Sequence, residues 1–203
     1  MRAAVFFERD GVLCECGGGH GTAARLEDFK VVEEARGPLE RLREAGFHLF
    51  ATTNQPGVTA GEPTRRELDL MHAMLQQKLR LTEVLVCPHA SDDSCPCRKP
   101  QPGLLREAAR RHGVDLDHSF VVSPHWVDAE MAEAAGATSV LIRSQQNGSG
   151  HHDFLVADLA AAVSKILEIA AEVGTLRALR STNGAAGFVT GTPPGAARVQ
   201  GEE

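Results

Sequence analysis

An α/β fold built on a central, mainly parallel sheet is predicted by three observations. Short apolar runs recur along the chain: residues 3–7, 47–51, 84–86, 120–122 and 138–142. Helix-periodic segments separate them, and polar loops follow the apolar runs, a rhythm that fits crossover-connected strands. At 203 residues the chain is long enough for one such domain with excursions.

The first run, Ala3-Ala4-Val5-Phe6-Phe7, leads directly into Glu8-Arg9-Asp10-Gly11. Ligands of open α/β sheets bind beyond the carboxyl ends of strands, so Glu8 and Asp10 are candidates for chemistry. Cys14-Glu15-Cys16-Gly17-Gly18-Gly19-His20-Gly21 follows and is too rich in glycine for a regular element, which predicts a loop near the site. Cys14, Cys16 and His20 could ligate a metal or flank substrate, but an isolated C-x-C pattern says little, and a loop is the simpler reading.

Pro38 suits a first helical turn, and Leu39, Leu42 and Ala45 keep helical spacing up to Gly46. The strand after it delivers Thr52-Thr53-Asn54-Gln55, whose short hydroxyl and amide side chains can donate to an oxyanion; an ordinary turn with Asx-type capping is the alternative. Residues 58–63 read as loop. A long helix is expected over residues 64–81, with Leu68, Met71, Leu75 and Leu79 as its buried stripe. A helix starting at Pro102 reaches about Arg111, and another runs from Trp126 to Ala135. Trp126 could touch substrate or pack against the sheet, and Asp128 could be a catalytic acid or a first-turn charge facing the helix dipole. Residues 143–153 read as a polar loop whose His151 and His152 are exposed. The last helix is expected over residues 159–172.

Cysteine usage singles out one segment. Cys87-Pro88-His89 and Cys95-Pro96-Cys97 place three thiols and an imidazole in one loop, a soft-ligand set suited to tetrahedral zinc. So little apolar material surrounds them that metal ligation would supply the fold energy of the loop, making the zinc structural. Arg98-Lys99 follows immediately and offers two cations to an anion.

A net charge of −6 gives no bulk reason to expect nucleic acid. No apolar run is long enough to span a bilayer and no leader-like segment is visible, so no membrane partner and a cytoplasmic location are expected. Residues 181–203 carry Gly, Ala and Pro with few large side chains, which reads as a flexible tail. The expected organisation is a single α/β domain over residues 1–172, including a zinc loop at 87–97, and a helix extension with a tail over 173–203.

Taken together, Asp10-Gly11, Thr53-Asn54-Gln55, Cys87-Pro88-His89 with Cys95-Pro96-Cys97-Arg98-Lys99-Pro100, and Asp128 resemble the haloacid dehalogenase-like (HAD-like) phosphatase superfamily. The likeness is to its compact branch of D,D-heptose 1,7-bisphosphate and histidinol-phosphate phosphatases and covers residues 3–170. The resemblance implies a three-layer Rossmann-like fold with a minimal cap and a zinc-binding loop. It implies a catalytic pair at Glu8 and Asp10, phosphate binding by Thr53, Asn54, Arg98 and Lys99, and zinc on Cys87, His89, Cys95 and Cys97. In the family the residue at position 8 is an aspartate that attacks phosphorus, the acid at position 10 protonates the leaving group, and an aspartate stands where this chain has Pro124.

Those two departures lead to the expectation of a zinc-stabilised phosphatase-like protein with weak or absent phosphomonoesterase activity, a pseudoenzyme that keeps a phosphorylated small-molecule ligand or a protein partner. Magnesium, on Glu8, Asp10 and Asp128, is then expected only if the altered site stays competent. The alternatives are an active noncanonical magnesium-dependent sugar-phosphate or histidinol-phosphate phosphatase, and a noncatalytic interaction module.

Overall fold

Residues 4–8 form β1 (Ala4–Glu8), buried from end to end. A run without polar alternation is what a strand covered on both faces requires. The computed structural model describes residues 2–16, 25–145, 148 and 150–184, with no side-chain detail beyond residue 174. The chain divides into two units, residues 1–167 and 168–203. The first contains β1, β2 (Cys14–Cys16), β3 (Phe29–Val31), α1 (Arg36–Glu44), β4 (His48–Asn54), α2 (Gly57–Ala60), α3 (Arg65–Leu79), β5 (Glu83–Cys87), α4 (Gly103–His112), β6 (Phe120–Ser123), α5 (Trp126–Ala135), β7 (Thr138–Ile142) and β8 (Phe154–Val156). A final helix, α6 (Leu159–Gly184), includes the described residues of the second unit.

Six strands form one parallel sheet in the order β5-β4-β1-β6-β7-β8. This is a Rossmann-like α/β architecture. The chain leaves β1 for β4 and β5 on one side, then returns to lay β6 against the other flank of β1. Strand order therefore reverses beside β1, and the carboxyl ends of β1 and β6 are where ligands of open α/β sheets bind. Glu8 pairs in register with Thr52, which brings the residues after β1 and β4 to the same height.

Alternation distributes the core. Phe6 stacks on Phe50 with ring centroids 5.0 Å apart, and both belong to a cluster with Leu104, Leu105 and Ala108 of α4 and Met131 and Ala132 of α5. Val5 and Phe7, equally buried, point to the other face of the strand. The long helix is well delimited: Thr64 and Glu67 form a reciprocal capping box at its start, and the stripe Leu68, Met71, Leu75 and Leu79 is buried as the spacing predicts.

Local differences from the sequence expectation have physical causes. Cys14–Cys16 is a strand rather than loop, because it pairs antiparallel with Phe29–Val31, a partner too distant for local composition to reveal. The segment expected as loop begins with α2, folded tightly enough that a Cβ on Gly57 would lie 2.1 Å from the Glu62 carbonyl oxygen. The last helix continues past residue 172 to Gly184. His20 and residues 185–203 of the expected tail lie outside the described residues. No helix among those described is long and apolar enough to cross a membrane.

Candidate active site

Three strand ends build the site. At the end of β1 both acids are buried, Glu8 at 6% and Asp10 at 7% exposure, and the Asp10 amide donates to Glu8 Oε1 at 3.1 Å. This bond ties the longer glutamate side chain back to the turn that carries Asp10.

Asp10 is held on both carboxylate oxygens. Arg9 donates to Oδ1 from Nε at 3.1 Å and from Nη2 at 2.7 Å, while Thr53 Oγ1 and Gln55 Nε2 donate to Oδ2 at 2.8 and 2.9 Å. Gln55 also reaches Thr53 Oγ1 at 2.8 Å, and the Cys14 thiol lies 3.6 Å from Oδ1. Such multiple donation fixes the carboxyl's position before any ligand arrives.

Lys99 is the second centre. Its ammonium contacts Glu8 Oε2, approaches Asp128 Oδ1 at 2.7 Å and donates to the Thr52 carbonyl at 3.2 Å. Burial pushes Glu8 up to about 8, with Lys99 opposing and Asp128 and Asp10 reinforcing the shift. Burial pulls Lys99 down, but Asp128 and Glu8 outweigh it and hold the ammonium at about 12. Asp128 is wholly buried at the start of α5, and Ser123 Oγ donates to its Oδ2 at 2.8 Å. It is a first-turn acid of α5 that lies buried beside Lys99.

The same atoms test whether the site fits a hard cation. Asp128 Oδ1 is buried and makes no well-directed hydrogen bond among the described residues, although Lys99 Nζ is 2.7 Å away; the ion pair lacks hydrogen-bond alignment. Glu8, at the end of β1, and Asp128, in the first turn of α5, converge on the Lys99 ammonium. Two buried carboxylates held together by one ammonium are hard oxygen donors of the kind magnesium takes, so the donor set fits.

Of the four residues expected to face phosphate, Thr53 is bonded to Asp10, and Asn54 braces the backbone of Lys99 by accepting from its amide at 3.2 Å. Arg98 sits on the neighbouring loop, donating to the His89 carbonyl at 3.4 Å and Ser91 Oγ at 3.1 Å. Trp126 is 41% exposed and lies against Gly148 and Gly150, where an added Cβ on Gly148 would come within 2.9 Å of its ring. Three participants were missed in the sequence: Arg9, Gln55 and Ser123. Gln55 stood in the recognised Thr53-Asn54-Gln55 motif, whereas nothing in the sequence shows where the guanidinium of Arg9 turns.

Beside the site, one ligand atom from each of Cys87, His89, Cys95 and Cys97 lies within 4.8 Å of the others, a cluster able to coordinate a metal. Cys95 Sγ is 3.6 Å from Cys87 Sγ and 3.7 Å from Cys97 Sγ, and His89 Nδ1 is 3.2 Å from Cys97 Sγ. A tetrahedron with metal–sulfur bonds of about 2.3 Å has edges of about 3.8 Å. Burial, then Cys87 and Cys95, push the Cys97 thiol up to about 12, a repulsion that a central cation would relieve.

A parallel sheet with buried acids behind its first strand, at the point where strand order reverses, defines a protein of the HAD-like class. A family description of HAD-hydrolase-like proteins matches residues 96–168. The chain is 29% identical over 181 residues to D-glycero-beta-D-manno-heptose-1,7-bisphosphate 7-phosphatase of Pseudomonas aeruginosa, covering 82% of this chain and 99% of the relative. The Rhodopseudomonas palustris protein of the same name is 32% identical over 147 residues, 66% of this chain and 80% of that one. The crystal structure of D,D-heptose 1,7-bisphosphate phosphatase from B. bronchiseptica, complexed with magnesium and phosphate, is 28% identical with a TM-score of 0.70, covering 83% of this chain and 99% of that one. The chain belongs to the D,D-heptose 1,7-bisphosphate phosphatase family of HAD-like proteins.

These findings correct the expectation of weak or absent activity, and with it the view of Glu8 and Pro124 as a disabled nucleophile and a lost magnesium position. The Asp10 clamp is intact, and Glu8 is anchored by the Asp10 amide and Lys99. Pro124 brings no side-chain oxygen, but Asp128 presents a buried carboxylate to the same Lys99 ammonium as Glu8. A relative of this fold holds magnesium and phosphate together. The expectation weighed a glutamate one methylene too long against a proline without a side-chain oxygen, whereas the site is set by where the folded side chains meet.

Proposed function

We propose that this protein is an active magnesium-dependent phosphomonoesterase of sugar phosphates, with Glu8 as nucleophile and Asp10 as acid and base. The observation that carries this reading is the fully clamped Asp10 beside an anchored Glu8. A carboxylate oxygen of Glu8 would attack phosphorus as the bond to the leaving oxygen breaks, and Asp10 would protonate that oxygen. Asp10 would then take a proton from the water that attacks phosphorus, freeing inorganic phosphate and regenerating Glu8.

Glu8, the backbone carbonyl of Asp10 and Asp128 would hold magnesium, which when bound supplies positive charge to the phosphoryl oxygens. Lys99 would add a fixed charge, Arg98 a guanidinium at the rim, and Thr53 a hydroxyl shared between Asp10 and phosphate. Asn54 would act through Lys99, whose backbone it holds.

A structural zinc on Cys87, His89, Cys95 and Cys97 belongs to the same reading, as does a minimal cap: α2 and α3 fill most of the connection between β4 and β5, leaving access to loops. A reducing cytoplasmic setting suits these thiolate ligands. The names of the relatives make a heptose bisphosphate the first substrate to try, with other sugar phosphates and histidinol phosphate beside it. Phosphate release should require magnesium and be lost in Glu8→Gln; no release from any of these esters would overturn the proposal.

A further inference from the structure

Arg9, which grips the Asp10 carboxylate, is the largest wholly buried side chain described. Its own position is set from the opposite side. Nη1 lies 3.0 Å from Nε2 of His72 in α3, and the guanidinium carbon lies 5.7 Å above the ring of Phe29. A guanidinium can only donate, so this contact requires His72 to present a bare Nε2 and carry its proton on Nδ1. Burial and the adjacent Arg9 charge hold His72 down at about 4, which keeps the ring neutral and able to accept.

We infer that His72 is a positioning residue of the active site, acting through Arg9 to aim the Asp10 carboxyl. Arg9 spends Nε and Nη2 on a single oxygen of Asp10. The remaining terminal nitrogen, Nη1, is the one that meets His72, and a directed contact there restrains the guanidinium plane. Phe29 supports one face of the guanidinium but supplies no directional acceptor. The inference rests on the reading of Asp10 as acid and base, while the relay from His72 to Arg9 is open to test by itself.

Two measurements decide it. In His72→Leu, kcat for phosphate release should fall about tenfold or more while KM changes less than about threefold, since a misaimed Asp10 affects reaction more than binding. His72→Gln, whose amide oxygen can accept from Nη1, should recover most of the rate. A folded His72→Leu protein with unchanged kcat would overturn the inference, as would a Gln variant no better than Leu. The second measurement needs neither turnover nor a variant fold. Long-range nitrogen-15 spectra of the wild-type protein should show His72 neutral at pH 7 with its proton on Nδ1, and a proton on Nε2 would overturn the relay even if the protein releases phosphate. Absence of all phosphate release together with the Nδ1 tautomer would instead reject the catalytic reading and leave the Arg9 relay standing.

Discussion

Lys99 and Asp128 form a wholly interior ion pair, with Nζ 2.7 Å from Oδ1 and side-chain exposures of 2% and 0%. The same ammonium contacts Glu8, so one lysine separates two buried carboxylates. Lys99→Met removes the positive partner of both. Leaving buried charge uncompensated costs about 3–5 kcal/mol, which urea denaturation should register. Turnover should fall on the order of a hundredfold or more, because the substitution also removes a charge poised beside Glu8.

Thr53 Oγ1 and Gln55 Nε2 share Asp10 Oδ2. Thr53→Val and Gln55→Leu each leave that oxygen one donor short and free the carboxyl to rotate. Each should lower kcat by about tenfold to a hundredfold, and the double variant should lose less than the product of the single losses, since both act on one atom. Steady-state kinetics on the four proteins checks this.

Asn54 pairs in register with Cys87, and the Gln55 amide donates to the Cys87 carbonyl at 2.8 Å. The cysteine loop is thus fastened to the strand end that supplies the Asp10 clamp. Metal analysis should find about one zinc per chain, in keeping with one tetrahedral four-ligand site. Cys97→Ser should lower that content and lower activity along with it. Gly103→Ala should act similarly without touching a ligand, because a Cβ there would lie 2.1 Å from the Pro96 carbonyl oxygen inside the loop.

His72 gives the protein a pH dependence of definite sign. Its folded value of about 4 lies below the ordinary 6.5, so the unfolded chain binds the proton more readily. The associated stability is present above about pH 6.5 and is lost as pH falls through about 4, to an extent of up to about 3 kcal/mol. Denaturation across this window should show a shallower acid loss in His72→Gln than in the unaltered protein.

The elements that close on neighbours in sequence were readable there. The strand at residues 138–142 and the helix from Trp126 to Ala135 match the expected spans, because apolar spacing and the terminal Gly136 define them locally. The stripe of α3 and the grouping of Cys87, His89, Cys95 and Cys97 were equally visible, since ligand chemistry and helical period leave a residue-level signature. The pairing of Cys14–Cys16 with Phe29–Val31 was not, because register between separated segments leaves no such mark.

The site was legible in its members and not in its wiring. Glu8 and Asp10 are candidates from position alone, but the turn of Arg9 back onto Asp10 depends on His72 and Phe29 from other elements. Likewise, Pro124 reads as a loss until Asp128 is seen beside Lys99 and Glu8. Side-chain convergence across three strand ends is a property of the folded crevice.

The central claim is that Glu8 carries the phosphoryl group during turnover. Rapid acid quenching of the enzyme with magnesium and a rapidly hydrolysed sugar phosphate, followed by peptide mass analysis, tests it most directly. The account predicts a transient phosphoryl adduct on Glu8 of the unaltered protein, longer-lived in Asp10→Asn when the leaving group is good enough to depart without a proton from Asp10. Robust turnover that persists in Glu8→Gln, with no adduct on Glu8, would contradict it.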